Sequence, residues 1–157
     1  MAHPLHGLDA AGVARPLKLA QDAARVLGLK RVPASELELA DTAFNGLPSA
    51  VLTKLSSSLG WAQADLLEKL GIAPRTASRR LASKKPLSST ESERALRLAR
   101  VLARATDVLE SLESAKRWLV DSNAALGGHT PLSLLRTDIG TELVLNELGK
   151  IDYGFFA

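Results

Sequence analysis

Apolar residues recur every three to four positions along most of this chain, which is the spacing of one face of an α-helix. Three such stretches occupy much of residues 16–60 and end at Gly28, at Asn45-Gly46 and at Gly60, because glycine readily ends a helix. No run of β-branched residues alternates with polar ones, so the pattern predicts no strand. We therefore predict an all-α fold.

Residues 61–82 predict two short helices joined by a tight turn. The first helix ends at Leu70, Gly71 permits the turn, and Pro74 suits the first turn of the second helix. Ile72 and Ala77 are spaced to pack the two helices together. This is the pattern of a helix-turn-helix, whose second helix presents its N-terminal residues to the major groove of DNA.

The second helix and the linker after it carry the hydroxyl and basic side chains that contact bases and phosphates. Residues 75–104 have a net charge of +7, whereas residues 105–157 have a net charge of −4, and a basic surface favours a polyanion. The alternatives are a solvated charged face and a helix-turn-helix that does not bind DNA. The candidate DNA-binding residues are Arg75, Thr76, Ser78, Arg79, Arg80, Lys84 and Lys85.

Two overlapping capping signals at Ser88 and Thr90, each with a glutamate three residues later, open a long helix that we predict to reach Leu112. Its apolar face is predicted to be core or a dimer seam. Beside that face lie three arginines that we interpret as a solvated flank: Arg97, Arg100 and Arg104.

Residues 113–157 predict a second helical unit. Thr130-Pro131 caps a short helix, and Thr137 or Asp138 caps a last helix that Gly149 is predicted to end. The predicted organisation is an N-terminal helical extension with a loose tail (1–45), a helix-turn-helix DNA-binding domain (46–112) and a small C-terminal helical domain with an aromatic tail (113–157).

Three of the six aromatic residues of the chain lie within its last five positions: Tyr153, Phe155 and Phe156. An apolar tail left in water favours association, so we expect something to bury it. It either packs onto its own domain as a last piece of core or inserts into a partner.

Composition narrows the setting. The chain has no cysteine, which fits a reducing compartment. No apolar run approaches the roughly 20 residues that span a bilayer, and the first residues lack the features of a secretion signal. A cytoplasmic protein without membrane contact is the expectation.

Enzymatic interpretations have little support. His3 and His6 stand three apart without nearby carboxylates, so no metal site is predicted, and His129 has no evident base or nucleophile beside it. No phosphate-binding loop, nucleophile elbow or zinc-protease motif occurs. We predict no cofactor and no catalytic residue; a small enzyme that uses His129 is the rival from this class.

Residues 71–157 resemble a known family. GIAPRTASRRL at residues 71–81 begins a match to the Xre/MbcA/ParS antitoxins, in particular the Xre antitoxins that are paired with RES-domain toxins. The residues that carry the resemblance follow in family order: Trp118-Leu119, Asn123, Ala125-Leu126-Gly127-Gly128, Thr130-Pro131-Leu132, Leu134-Leu135, Thr137, Gly140 and Tyr153-Gly154.

The resemblance implies a Cro-like helix-turn-helix domain followed by a small helical toxin-binding domain, in a bacterial antitoxin that is not itself an enzyme. It implies a cognate RES-domain toxin that acts on NAD, operator DNA as a second partner, and autorepression, and we expect a homodimer. It also implies that the last residues insert at or near the active site of the toxin. The implied toxin-binding residues are Ile151, Asp152, Tyr153, Gly154, Phe155, Phe156 and Ala157. A free-standing transcriptional regulator is the alternative.

Overall fold

The computed structural model describes residues 16–154, and every regular element in that range is helical. The first 15 residues, with His3 and His6, lie outside it, as do Phe155–Ala157. The helices are α1 (16–26), α2 (Glu36–Asn45), α3 (Ala50–Leu59), α4 (Gln63–Leu70), α5 (Pro74–Ser83), α6 (Ser89–Leu109), α7 (Leu112–Val120), a 3₁₀ turn η1 (Ala124–Leu126), α8 (Pro131–Leu134) and α9 (Asp138–Asp152).

Helix α6 lies at the centre of the fold and contacts α2, α3, α4, α7 and α9. Its buried face includes Leu98, Val101 and Leu102, which form a single core with leucines from nearly every other helix. Ala20 and Ala23 of α1 and Leu27, which directly follows this helix, belong to the same core. One continuous core therefore connects the helix-turn-helix to the C-terminal helices.

A capping box starts α6. The Ser88 hydroxyl accepts a hydrogen bond from the Glu91 amide at 3.1 Å, and the Glu91 carboxylate accepts one from the Ser88 amide at 2.8 Å. Of the two capping signals in the sequence, the Ser88 one operates, and Thr90 lies inside the helix. This reciprocal pair satisfies two amides that the first turn would otherwise leave unpaired.

The prediction that α6 reaches Leu112 is wrong. The helix ends at Leu109, where Glu110 adopts a left-handed conformation with φ of 66°. Ser111 then caps a new helix, since its hydroxyl accepts a hydrogen bond from the Ser114 amide at 3.0 Å. Leu112 therefore opens α7 and is more than a third exposed instead of continuing the apolar face of α6.

The prediction that Gly149 ends the last helix is also wrong. Thr137 caps α9 as expected, but the helix passes through Gly149 and continues to Asp152. Gly149 keeps a helical conformation, and its carbonyl accepts a hydrogen bond from the Tyr153 amide at 3.0 Å. The last turn of α9 therefore includes Ile151 and Asp152, which the sequence pattern had assigned to the tail.

Ion pairs connect the surface of α6 to its neighbours. Lys18 of α1 lies 2.6 Å from Asp22 and 3.7 Å from Asp107 of α6. The hydrogen bond to Asp22, together with the charges of both aspartates, raises the pKa of Lys18 above its usual value.

None of the helices within residues 16–154 is long and apolar enough to span a membrane.

Candidate functional site: a basic helix-turn-helix face and the end of the last helix

The turn between α4 and α5 has the geometry predicted from the sequence. Gly71 adopts φ of 68°, and the Ile72 amide donates to the Leu67 carbonyl at 2.9 Å, which closes the end of α4. Ile72 and Ala77 are both buried between the helices. The predicted packing of this helix-turn-helix is confirmed.

Arg94 of α6 holds this turn from behind. Its guanidinium donates to the Gly71 carbonyl at 2.9 Å and to the Leu70 carbonyl at 3.4 Å, two acceptors at the C-terminal end of α4. A cation in this position also offsets the partial negative charge of a helix C-terminus. Sequence reasoning counted Arg94 only as net charge; its task follows from the long-range packing of α6 against α4.

The two helices of the unit begin without side-chain caps, unlike most of the others. Ala62 precedes α4 and Ala73 precedes α5, and no side chain in the described part of the chain caps either helix. By contrast, a side chain caps α2, α6, α7, α8 and α9. Uncapped helix N-termini leave amides and a partial positive charge for an external acceptor such as a phosphate.

The outer face of α5 is formed by Arg75, Ser78 and Arg79, which are all exposed and share one side of the helix because they are three or four residues apart. Within residues 16–154, neither Arg75 nor Arg79 forms an ion pair. Thr76 is half-buried beside them. This face therefore presents two cations and a hydroxyl directly to solvent.

Arg80 points away from that face. Its Nε lies 3.0 Å from the Glu91 carboxylate, its Nη1 donates to the Pro86 carbonyl at 3.2 Å, and only a quarter of its side chain is exposed. Arg80 thus connects α5 to the linker and to the start of α6. Lys84 and Lys85 follow α5 and are both exposed, with Lys84 in a left-handed conformation at φ of 54°.

The interpretation of the α6 arginines as a solvated flank is wrong for two of the three. Arg97 forms an ion pair with Asp138 at the start of α9, and its side chain is only 14% exposed. Arg104 lies 3.0 Å from Asp152 and 3.3 Å from Asp107, with 16% exposure. These two arginines contact α9 near its two ends, so they hold it against α6.

The proposed toxin-binding residues divide at the end of α9. Ile151 is half-buried, and Asp152 is the partner of Arg104. Tyr153 is 55% exposed, whereas Gly154 is buried with φ of 91° and donates to the Ile151 carbonyl at 3.1 Å. Phe155, Phe156 and Ala157 lie outside the described residues. The chain therefore leaves α9 through a tight turn with the Tyr153 side chain facing solvent.

His129 lies exposed in the loop before α8. Its backbone closes that loop, because its carbonyl accepts from the Asn123 amide at 3.0 Å and its amide donates to the Leu126 carbonyl at 3.2 Å. No ion pair of its ring occurs in the described part of the chain, and no group of three or more possible metal ligands occurs there either. The geometry around His129 is that of a structural loop.

The fold and its basic face define a helix-turn-helix protein that carries a second helical unit. Residues 38–100 match the family described as the antitoxin Xre-like helix-turn-helix domain, and residues 104–154 match the one described as the antitoxin Xre/MbcA/ParS C-terminal toxin-binding domain. The chain belongs to the Xre/MbcA/ParS family of antitoxins. The resemblance and the all-α fold class inferred from the sequence are confirmed.

Three curated relatives cover most of the chain. Antitoxin Xre of Photorhabdus laumondii is 33% identical over 110 residues, which are 69% of this chain and 74% of the relative. Antitoxin Xre of Pseudomonas putida is 32% identical over 135 residues, 84% of this chain and 83% of the relative. A Sphingobium protein named Prs ADP-ribosylating antitoxin is 30% identical over 121 residues, 71% of this chain and 76% of the relative.

Proposed function

We propose that this protein is the antitoxin of a bacterial type II toxin–antitoxin module, acting in the cytoplasm without catalysis of its own. In this proposal it silences a RES-domain toxin that consumes NAD, and as a homodimer it binds its operator and represses its own operon. The observation that carries the DNA half is the outer face of α5. There, two exposed arginines that form no ion pair within residues 16–154 stand beside a helix N-terminus that no side chain of those residues caps.

The charge around that face supports a polyanion as its partner. Between residues 70 and 90 the chain has five basic residues and no acidic one. Because Arg75 and Arg79 have no internal acceptor within residues 16–154, their hydrogen-bond donors are free for base edges and phosphates. Ser78, Thr76, Lys84 and Lys85 flank them as further contacts. Arg80 is left out of the proposed DNA contacts, because Glu91 already holds its side chain.

The DNA half is tested with Arg75→Ala combined with Arg79→Ala. The matched control is Arg31→Ala combined with Arg117→Ala, which removes two exposed arginines elsewhere. We expect the α5 variant to lose about 1–3 kcal/mol of operator affinity for each arginine that reads a base, or to show a shallower salt dependence if the arginines contact phosphates. The control variant should bind like wild type. Equal operator binding by the α5 variant in a mobility-shift titration would refute the assignment.

The toxin half rests on the end of α9. The domain that family members use to bind toxins covers residues 104–154, and the aromatic segment Tyr153–Ala157 follows its last helix. Aromatic side chains fill apolar clefts well, and Gly154 gives the backbone a turn that residues with a Cβ adopt rarely. We infer that this segment occupies the NAD cleft of the toxin. The Sphingobium relative is named for ADP-ribosylation, a reaction that uses NAD. Its name therefore supports a toxin that acts on NAD.

A truncation that tests the toxin half must leave the last turn of α9 in place. Removal of residues 151–157 would delete the last turn of α9 and the Arg104–Asp152 ion pair, so such a chain would lose stability as well as its tail. A chain that ends at Gly154 leaves α9 intact. Co-expressed with its toxin, this shorter truncation should arrest growth and lower cellular NAD.

A full-length variant with Phe155→Ser and Phe156→Ser provides the length control for this experiment. This variant keeps the full chain length and removes only the aromatic side chains, so it distinguishes the two effects. Like the truncation, it should fail to silence the toxin. Normal growth with preserved NAD in both strains would mean that inhibition comes from another part of the protein.

A further inference from the structure

Helix α9 exposes an apolar stripe on the side that faces away from α6. Ile139 is 76% exposed, Leu143 51% and Tyr153 55%. With 3.6 residues per turn, these three lie on one side of the helix together with Asn146 and Lys150. Large apolar side chains grouped in this way on a surface mark an interaction site more often than isolated ones do.

The stripe borders a groove of about 500 Å³ between α9 and η1. Leu126, which is 9% exposed, belongs to its apolar wall, and Glu147 and Lys150 supply polar groups beside the apolar surface. Tyr153, the first residue of the aromatic segment, also lines the groove. It is wide enough for an apolar side chain of another protein.

Gly149 lines the same groove and has no task inside the described fold. A Cβ built on it would meet nothing within 4 Å. Gly140 of the same helix is different, because a Cβ there would overlap the carbonyl oxygen of Leu134. Glycine inside a helix lowers stability relative to alanine. Packing within residues 16–154 explains Gly140 and leaves Gly149 without a reason.

We propose that this surface, the α9 groove face of Ile139, Leu143, Gly149 and Tyr153, is where the toxin docks, and that Gly149 lets an element of the toxin approach the helix closely. The inference rests on the proposed function and deepens it. Docking on the helix supplies affinity, and the segment after Gly154 supplies inhibition.

Two observations favour the toxin over other occupants. The groove face lies within the residues that match the toxin-binding domain and is continuous with the segment assigned to the active site of the toxin. The charge of residues 105–157 is −4, which disfavours DNA on this side. The expected toxin surface is an apolar ridge with an acceptor for Lys150.

The test measures binding of the purified RES-domain toxin of the proposed module to three full-length variants: Gly149→Ala, Leu143→Asp and Leu37→Asp. Leu37 is 70% exposed on α2 and serves as the matched control outside the groove face. We expect Gly149→Ala to raise the unfolding midpoint by roughly 2–4 °C and yet to weaken toxin binding at least tenfold. Leu143→Asp should weaken binding at least tenfold at unchanged stability, and Leu37→Asp should bind like wild type.

For Gly149→Ala we expect a higher unfolding midpoint together with a lower toxin affinity, and this combination separates docking from a structural role. If the chain needed this glycine for its own fold, its replacement would lower the midpoint. Wild-type affinity in both groove variants would overturn the inference, as would a lower midpoint for Gly149→Ala. A change of oligomeric state at unchanged toxin affinity would overturn it in favour of a second copy on this face. A wild-type chain that does not bind the toxin would instead refute the proposed function.

The chain that ends at Gly154 completes the design. It should bind the toxin with an affinity within about tenfold of wild type while failing to silence it. Complete loss of binding in this truncation would assign the affinity to the aromatic segment alone and overturn the inference.

Discussion

Replacing Gly140 with alanine perturbs a close contact between α8 and α9. The added Cβ would overlap the Leu134 carbonyl oxygen and lie 2.9 Å from the carbonyl carbon of the same residue. It would also lie 3.0 Å from Oγ1 of Thr137, the residue whose hydroxyl caps α9 by accepting from the Gly140 amide at 2.9 Å. Because two of these neighbours are backbone atoms, no side-chain rotation can relieve the contact.

The cost of this substitution has two parts. Forcing an extra carbon into a packed contact costs about 1–3 kcal/mol, and loosening the Thr137 cap costs about 1 kcal/mol. Alanine recovers about 0.5–1 kcal/mol through its better helix propensity and the smaller entropy of its unfolded chain. We therefore expect Gly140→Ala to lower the free energy of unfolding by about 1–3.5 kcal/mol.

Urea unfolding followed by far-ultraviolet circular dichroism measures this change, with Gly149→Ala as the matched control on the same helix. The two alanine variants should shift the midpoint in opposite directions, since only one of them meets neighbouring atoms. If Gly140→Ala is as stable as wild type, then Gly140 does not pack against the Leu134 carbonyl.

Two further predictions concern the start of α6 and the assembly. Ser88→Ala removes half of the capping box and should lower the free energy of unfolding by about 1 kcal/mol in thermal denaturation; an unchanged midpoint would contradict the role of the cap. A single helix-turn-helix contacts one half-site, and such proteins bind DNA as symmetric dimers. Light scattering at micromolar concentration should therefore detect a dimer. A protein that is monomeric both alone and with operator DNA would contradict this prediction.

The helices were readable from the sequence where spacing and caps agree. The apolar period marks the faces of α2 to α5, glycines end α3 and α4, and Ser88 and Thr137 begin α6 and α9. These signals are local, because a cap or a turn involves residues only a few positions apart. The helix-turn-helix was predictable for the same reason.

The misjudged ends of α6 and α9 have a common cause. Glu110 adopts a conformation that glycine usually supplies, and Gly149 stays helical where a glycine usually ends a helix. In both places the backbone conformation differs from the one that the residue type favours by itself. Sequence spacing offers no signal for such a reversal.

The arginines show why the candidate site could be predicted only in part from the sequence. Arg79 and Arg80 are neighbours with the same charge, and the sequence treats them alike. In the fold one is exposed and the other is held by Glu91, eleven residues further along the chain. Arg97 and Arg104 likewise have partners about 40 or more residues away. Pairing over such distances depends on how whole helices pack.

Helix α6 holds parts of both surfaces at a fixed separation. Near its start, Glu91 holds Arg80 of the helix-turn-helix, and near its end Arg104 holds Asp152 at the base of the aromatic segment. Glu91 and Arg104 are 13 residues apart on this helix, which corresponds to about 20 Å at 1.5 Å per residue. In the proposed function, this distance along α6 sets how far from the operator a bound toxin would lie. One residue inserted into α6 between Glu91 and Arg104 would turn the two ends of the helix by about 100° relative to each other. Because both ends belong to the single core, the insertion would disrupt that core as well as change the direction of one surface relative to the other.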